Sequence, residues 1–379
     1  MKDILVIGGG KIGSVVAALL IDTPETGGYR VTVADRSATQ LAQLEAEARR
    51  GVATSAGAAR LCTLQLDVMD ATALRAALHG RFAVLSAAPF HLTLQVAQAA
   101  KAMGVHYLDL TEDVASTRAI RTLAEDATTV FIPQCGLAPG FISIAAADLA
   151  RRFDSLDSVR MRVGALPAYP SNALNYNLTW STEGVINEYC EPCEAIVDGQ
   201  LREVPALEER EEFSLDGVLY EAFNTSGGLG TLCETLAGKV RTLNYRTIRY
   251  PGHAAIMKAL LHDLRLKDRR DVLKDILEQS LPATLQDVVI VFVTVAGMRD
   301  GRLQQETYAH KIYSHVLAGR MCSAIQITTA SSLCAMLDML AAGVLPQRGF
   351  VRQEEVALDA FLANRFGRVY SGNELARAA

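Results

Sequence analysis

Residues 2 to 13 read KDILVIGGGKIG, and how this stretch is interpreted decides the fold of the first half of the chain. Residues 3 to 7 form a short apolar run that ends in glycines, after which Ile12, Val15, Val16, Leu19 and Leu20 recur at helical spacing. The pattern predicts strand, tight turn and helix. Gly8 permits the turn out of the strand, Gly10 lets a backbone approach a pyrophosphate, and Gly13 lets helix and strand pack closely. Lys11 and Ile12 lie where the helix N-terminus offers free N–H groups and a partial positive charge to an anion.

Working outward, the β-branched run YRVTVADRS (Tyr29 to Ser37) brings Asp35 to the end of a second strand. A carboxylate there accepts hydrogen bonds from both ribose hydroxyls and repels a 2′-phosphate, so the cofactor expected is NAD. The neighbouring Arg36 can stack on adenine or pair with a phosphate, which leaves NADP open as well. Further strands are predicted at LCTLQLDVMD (Leu61 to Asp70), FAVLSAAP (Phe82 to Pro89), VHYLDLTED (Val105 to Asp113) and TTVFIPQCGLAPG (Thr128 to Gly140), with helical intervals between them. That alternation implies a Rossmann-type, doubly wound parallel sheet with helices on both faces. Asp67 and Val68 then fall where an adenine edge lies, or form an ordinary strand-end turn. Ala87, Ala88 and Pro89 leave room for the nicotinamide ribose.

Past Gly140 the strands become longer and alternating, at Ser158 to Pro167, Val240 to Gly252 and Asp287 to Gly297. The last reaches the Asp300-Gly301 pair, which suits a tight turn, and returns through Leu317. The overall class is therefore α/β: a Rossmann-type domain over residues 1–140, and a second α+β domain with a mixed, largely antiparallel sheet over residues 141–319. Residues 320–379 are expected to complete the first domain, with a long apolar helix from Thr328 closed by Gly343 and Pro346. The charged stretch LEEREEF (Leu207 to Phe213) reads as a solvated connector.

The chain has 379 residues, half of them apolar, and a formal charge of -5 without charged blocks. It offers no electrostatic footprint for nucleic acid and no basic face for a membrane surface. The N-terminal apolar run is too short for a signal-peptide core, so a cytoplasmic location is expected. Seven cysteines without framework spacing read as buried small residues. Cys190 and Cys193 form a single pair with half the ligands of a closed zinc site, so no metal is expected.

Candidate chemistry falls on turns. Asp109, Thr111 and Glu112 follow the fifth strand, at the end of the sheet where ligands bind. Asp109 either faces that crevice or caps the next helix, and Glu112 is the freer candidate for proton transfer. Cys135 reads as packing, since it has no basic neighbour. In YRTIRYPGH (Tyr245 to His253), Arg249 is placed to clamp a carboxylate bidentately and His253 to act as acid or base, or to be merely hydrogen-bonded.

The blocks ILVIGGGKIG, GVHYLDLTED, GLAPGF, YNLTWSTEGVINEY, EAFNTSGGLGTL and LNYRTIRYPGH run through most of the chain. Together they resemble the saccharopine dehydrogenase-like superfamily, and most closely its L-lysine 6-dehydrogenases. The resemblance implies NAD-dependent oxidative deamination of an amino acid at a primary amine. It also implies a small-molecule amino acid substrate and a homodimer or higher homo-oligomer. From the matching blocks it carries over Tyr176, Asn177, Glu183 and Thr225 as pocket residues beside Arg249, with His253 or Glu112 as base. Asn224 and Arg246 depart from the similar enzymes, where a histidine or larger side chain and a lysine are expected, so substrate identity stays less defined than reaction class. The alternatives are a saccharopine- or carboxyspermidine-type dehydrogenase that joins aldehyde to amine, and a protein that senses NAD without turnover.

Overall fold

The computed structural model describes residues 1–23, 28–51, 59–317 and 319–371, excepting the side chains of residues 48–51. The chain divides into two units. One comprises Met1–Phe141, Val316–Cys322 and Gln326–Ala379, and the other Ile142–His315 with Ser323–Ile325.

In the first unit, β1 (Lys2–Ile7), α1 (Gly13–Ile21), β2 (Tyr29–Asp35), α2 (Ala38–Gly51), β3 (Leu61–Gln65), α3 (Ala71–Leu78), β4 (Ala83–Ser86), α4 (Phe90–Met103), β5 (His106–Asp109), α5 (Val114–Ala124) and β6 (Val130–Ile132) alternate along the chain. A late strand, Gly349–Phe350, adds to β6, and the seven-stranded sheet runs from it through β6, β5, β4, β1, β2 to β3. Every pairing is parallel. Strands β4 and β6 are buried along their whole length, as expected of strands covered on both faces. The order reverses between β1 and β4, and there the glycine turn and Ala87 to Pro89 leave the sheet.

The second unit begins with α6 (Phe141–Ala150), whose first residue belongs to the other unit, and β7 (Ser155–Pro167). It continues through α7 (Thr182–Cys190), β8 (Cys193–Val197), β9 (Gln200–Val204), β10 (Glu211–Leu215), β11 (Val218–Asn224), α8 (Leu232–Leu236), β12 (Val240–Arg249), α9 (His253–Lys258), α10 (Arg270–Ser280), β13 (Asp287–Arg299) and β14 (Arg302–Tyr313). Its eight-stranded sheet runs β10-β11-β12-β7-β13-β14, with β8 and β9 branching from β12. Only the β12–β7 pairing is parallel, which makes the sheet mixed and largely antiparallel. The β13–β14 hairpin closes through Asp300 and Gly301, at φ 51° and 72°. Both lie in the left-handed region, which matches the twist of the flanking strands.

Four local expectations change, the first being that Cys62 is exposed while the other six cysteines are buried. Asp109 does not cap the helix after β5; Asp113 does, through a 2.6 Å bond from the N–H of Ser116. The long apolar helix α11 (Ala324–Ala341) starts four residues before Thr328, because the carboxylate of Asp287 accepts from the N–H groups of Ala324 and Ile325 at 2.5 and 3.1 Å. This helix is long and apolar enough to cross a membrane, but 78% of it is buried within the protein. The stretch from Leu207 to Phe213 is more than a solvated connector: Leu207 is buried, and the acidic residues after it form ion pairs with the sheet and α9.

Candidate functional site

At the cofactor end of the first unit, Gly13 packs so closely that an added Cβ would lie 1.9 Å from the oxygen of Gly8. Gly8 itself has φ 96°, and a Cβ there would meet the Ala87 oxygen at 2.8 Å. At Gly10 the surroundings are open, with only the Gln40 amide nitrogen within 4 Å of an added Cβ, at 3.7 Å. A small residue with free space beside it is what close approach of a pyrophosphate requires. The N–H groups of Lys11, Ile12 and Gly13 have no hydrogen-bond partner among the described residues and are available to an anion. Asp35 is half-buried, and its two oxygens accept from the N–H groups of Gly9 and Ser37, both at 2.8 Å. Each oxygen keeps a lone pair for a ribose hydroxyl. Arg36 and Asp67 are exposed, and the Asp67 carboxylate accepts from the Met69 N–H at 2.9 Å as a strand-end turn. Val68 is buried, while Ala87 and Ala88 are half-buried and Pro89 is exposed at the start of α4. The residues present fit a dinucleotide.

After β5, Asp109 is wholly committed. Its oxygens accept from the Thr111 and Gln134 N–H groups at 3.0 and 2.9 Å and from the Tyr107 hydroxyl at 2.8 Å, and burial raises its pKa to about 6. It ties two strand ends together. Glu112 is half-buried and makes no hydrogen bond among the described residues. Burial and the neighbouring charge of Asp113 raise its pKa to about 7, the range that suits a general base. Cys135 is buried, its thiol bonded to the Ile132 carbonyl at 3.1 Å and pushed well up by burial.

In the second unit, Arg249 ends β12 and is 2% exposed. Its Nε donates to the Tyr189 hydroxyl at 2.9 Å, and Nη1 donates to the Thr247 hydroxyl at 2.7 Å and the Ile248 carbonyl at 2.8 Å. Nη2 makes no hydrogen bond among the described residues. The bidentate clamp is therefore narrowed to one free nitrogen. The guanidinium lies 5.2 Å from the ring centre of Tyr176 and 5.8 Å from that of Tyr189, and it feels the charge of the buried Glu188 without an ion pair. A buried cation without a counter-ion costs stability unless something neutralises it.

Arg162 and Arg246 differ. Arg162 grips Glu211 through two bonds of 2.6 and 3.2 Å, and Arg246 pairs with Glu209 at 2.9 Å and Glu211 at 3.2 Å. Both charges are already matched.

His253 is buried, with Nδ1 2.9 Å from the Leu174 carbonyl and Nε2 3.0 Å from the Tyr189 hydroxyl. Burial and the charge of Arg249 push its pKa down to about 3. Neither nitrogen is left for a substrate proton. Tyr176 and Thr225 are buried with unpartnered hydroxyls, and Asn177 accepts from Asn172 at 3.1 Å. Glu183 stands apart, exposed on α7 and 3.5 Å from Lys274. Tyr189 and Glu188 escaped the reading of the residues. The signal was there: Val185, Ile186 and Tyr189 mark a buried helical stripe, and Glu188 lies one turn beyond Val185 on it.

Two family models match the chain: the saccharopine dehydrogenase NADP binding domain over residues 4–132, and the saccharopine dehydrogenase C-terminal domain over residues 136–367. The first unit is accordingly a nicotinamide-dinucleotide-binding domain, for NAD or NADP. Among solved structures, apo saccharopine dehydrogenase (L-Glu forming) from Saccharomyces cerevisiae is similar at a TM-score of 0.76 and 18% identity, covering 93% of this chain and 94% of that chain. The DAP dehydrogenase of C. glutamicum in complex with DAP matches at 0.48 and 11% identity, over 98% of this chain and 99% of that chain. The yeast likeness is one of fold.

Proposed function

The chain belongs to the saccharopine dehydrogenase family and is an NAD(P)-dependent dehydrogenase of the amino-acid type, and we propose from this that it oxidises the side-chain amine of L-lysine with NAD. Lysine, NAD and water give 2-aminoadipate 6-semialdehyde, ammonium, NADH and a proton, and the semialdehyde closes on its own α-amine with loss of water to piperideine-6-carboxylate. The observation that carries the reading is the unmatched guanidinium of Arg249. Of Arg162, Arg246 and Arg249, only Arg249 lacks a carboxylate partner among the described residues, which suits a substrate with one carboxylate.

In this reading Arg249 Nη2 takes the α-carboxylate, and the buried, unpartnered Tyr176 hydroxyl is a second donor for it. The reaction also needs a base, since hydride leaves only from the carbon that bears a neutral amine, and Glu112 of the first unit is the candidate for it. The nicotinamide, when bound, accepts that hydride. Asp35 holds the adenine ribose, the N–H groups from Lys11 to Gly13 hold the pyrophosphate, and the Asp35 charge favours NAD over NADP.

A saccharopine- or carboxyspermidine-type reaction is the second reading, favoured by the family models themselves. Its larger substrates carry more charge and call for further cationic partners. One assay separates the two: NADH and NADPH formation followed across a panel of amino acids, then the reverse reaction with aldehyde and amine together. Lysine-dependent NADH formation supports the first reading. Turnover of an N-linked secondary amine with none of free lysine replaces it by the second.

A further inference from the structure

His253 is the one buried histidine among the described residues, and it belongs to a chain of hydrogen bonds that has a single allowed direction. At one end the Leu174 carbonyl can only accept, so the Nδ1 of His253, 2.9 Å away, carries the ring proton. Nε2 is then an acceptor and takes the hydrogen of the Tyr189 hydroxyl at 3.0 Å. At the other end a guanidinium can only donate, so the Tyr189 oxygen accepts from Arg249 Nε at 2.9 Å. The opposite imidazole tautomer would set a lone pair against the Leu174 carbonyl and force the Tyr189 oxygen to accept twice, leaving its own hydrogen without a place.

The histidine is held as firmly as the chain is directed. It begins α9 after Gly252, and the buried carboxylate of Glu221 accepts from the N–H groups of Gly252 and Ala254 on either side, at 3.1 and 2.7 Å. The edge of Tyr176 lies 5.4 Å from the imidazole and the parallel face of Phe223 6.3 Å from it, centre to centre. With Nε tied to Tyr189 and Nη1 to Thr247 and Ile248, the guanidinium cannot turn about its own plane.

We infer that His253 is a positioning residue: through the Tyr189 hydroxyl it fixes the orientation of Arg249 so that Nη2 alone is offered to the substrate carboxylate. The inference rests on the reading of Arg249 as the carboxylate anchor. It removes His253 from proton transfer, because a phenol and a guanidinium stand between its ring and Nη2, and neither passes a proton readily at neutral pH. The histidine sets affinity and specificity, and the proton moves elsewhere.

The test compares full-length H253Q, H253N and Y189F with the unaltered protein. A glutamine side chain carries its carbonyl about as far as Nε2 and still accepts from Tyr189, whereas asparagine stops at the level of Nδ1. KM for lysine is expected to rise by about 10- to 100-fold in H253N and Y189F, with kcat within about threefold, and H253Q is expected to recover most of the loss. A fall in kcat of about 100-fold or more in H253Q, the signature of a lost acid or base, overturns the inference. Unchanged KM in both H253N and Y189F overturns it too.

A second measurement is independent of turnover. In uniformly 15N-histidine-labelled protein, the resonances that vanish in H253Q are expected to report a neutral Nδ1–H imidazole from about pH 5.5 to 8.5. An Nε2–H tautomer, or titration near the ordinary histidine value, refutes the chain. If the wild type oxidises no lysine while this signature holds, the substrate reading fails and the geometry of the chain survives.

Discussion

The carboxylate of Asp35 accepts a hydrogen bond from the N–H of Gly9 at 2.8 Å, so the proposed ribose clamp and the glycine turn are joined directly. The second carboxylate oxygen accepts from Ser37, which fixes the plane of the group. Replacing Asp35 by alanine removes the negative charge that discriminates against a 2′-phosphate and loosens the turn. We expect kcat/KM for NAD to fall about tenfold or more and the NADP-to-NAD ratio to rise. An unchanged ratio in steady-state assays with the two cofactors counts against the clamp.

Gly13 and Gly10 should respond differently to alanine. At Gly13 the new methyl would sit 1.9 Å from a backbone oxygen, which has no side-chain freedom to yield. G13A is expected to lower the melting temperature by several degrees. At Gly10 the methyl meets nothing closer than 3.7 Å among the described residues, so G10A should melt near the wild type and yet lose the stabilisation that added NAD provides. Thermal melts with and without cofactor decide it, and a G10A protein stabilised by NAD as strongly as the wild type contradicts the assigned approach.

Arg249 uses three of its N–H bonds to neutral acceptors, an arrangement a lysine ammonium cannot reproduce in the same plane. R249K is expected to lower kcat/KM for the amino acid by about 100-fold, mainly through KM, with cofactor KM little altered. Calorimetric titration of lysine into the NADH-bound variant checks this, and undiminished binding would falsify the anchor.

Glu112 links activity to pH with a definite sign. With its pKa raised to about 7 by burial and Asp113, the carboxylate proposed as base forms as pH climbs through 7, so kcat/KM should rise across that range. E112Q should lose about 100-fold or more in kcat together with this rise. Stability moves the other way: the folded state holds the proton more tightly than the unfolded chain, so stability is fullest below the ordinary glutamate value and declines as pH rises through about 7. E112Q should therefore melt higher than the wild type at pH 8 and alike at pH 4.

Glu183 supplies the contrasting case. It is exposed and paired only loosely with Lys274, at 3.5 Å, so E183A is expected to keep kcat/KM within about twofold and stability within about 0.5 kcal/mol. A larger loss of activity would return it to the pocket.

The sequence by itself determined the strand, glycine turn and helix at the start, the acidic end of β2, the doubly wound parallel sheet and the Asp300-Gly301 hairpin. Each depends on spacing along a few residues: periods of two and 3.6, and glycine where the left-handed region or close packing demands it. The first turn of α11 was out of reach, because its cap is a carboxylate 37 residues earlier.

Only the tertiary structure decided which charges remain available. Arg162 and Arg246 are matched by an acidic segment that had looked like a connector, with Glu211 lying 49 residues from Arg162 in the chain. His253, a candidate base by type, became a neutral acceptor through a tyrosine 64 residues away. Glu183 lies on the exposed face of α7 and Glu188 on the buried one, because a helix buries one face and not the other. Whether a charged or titratable side chain is free depends on desolvation and on the partner across the fold, and neither is encoded within the few residues around it.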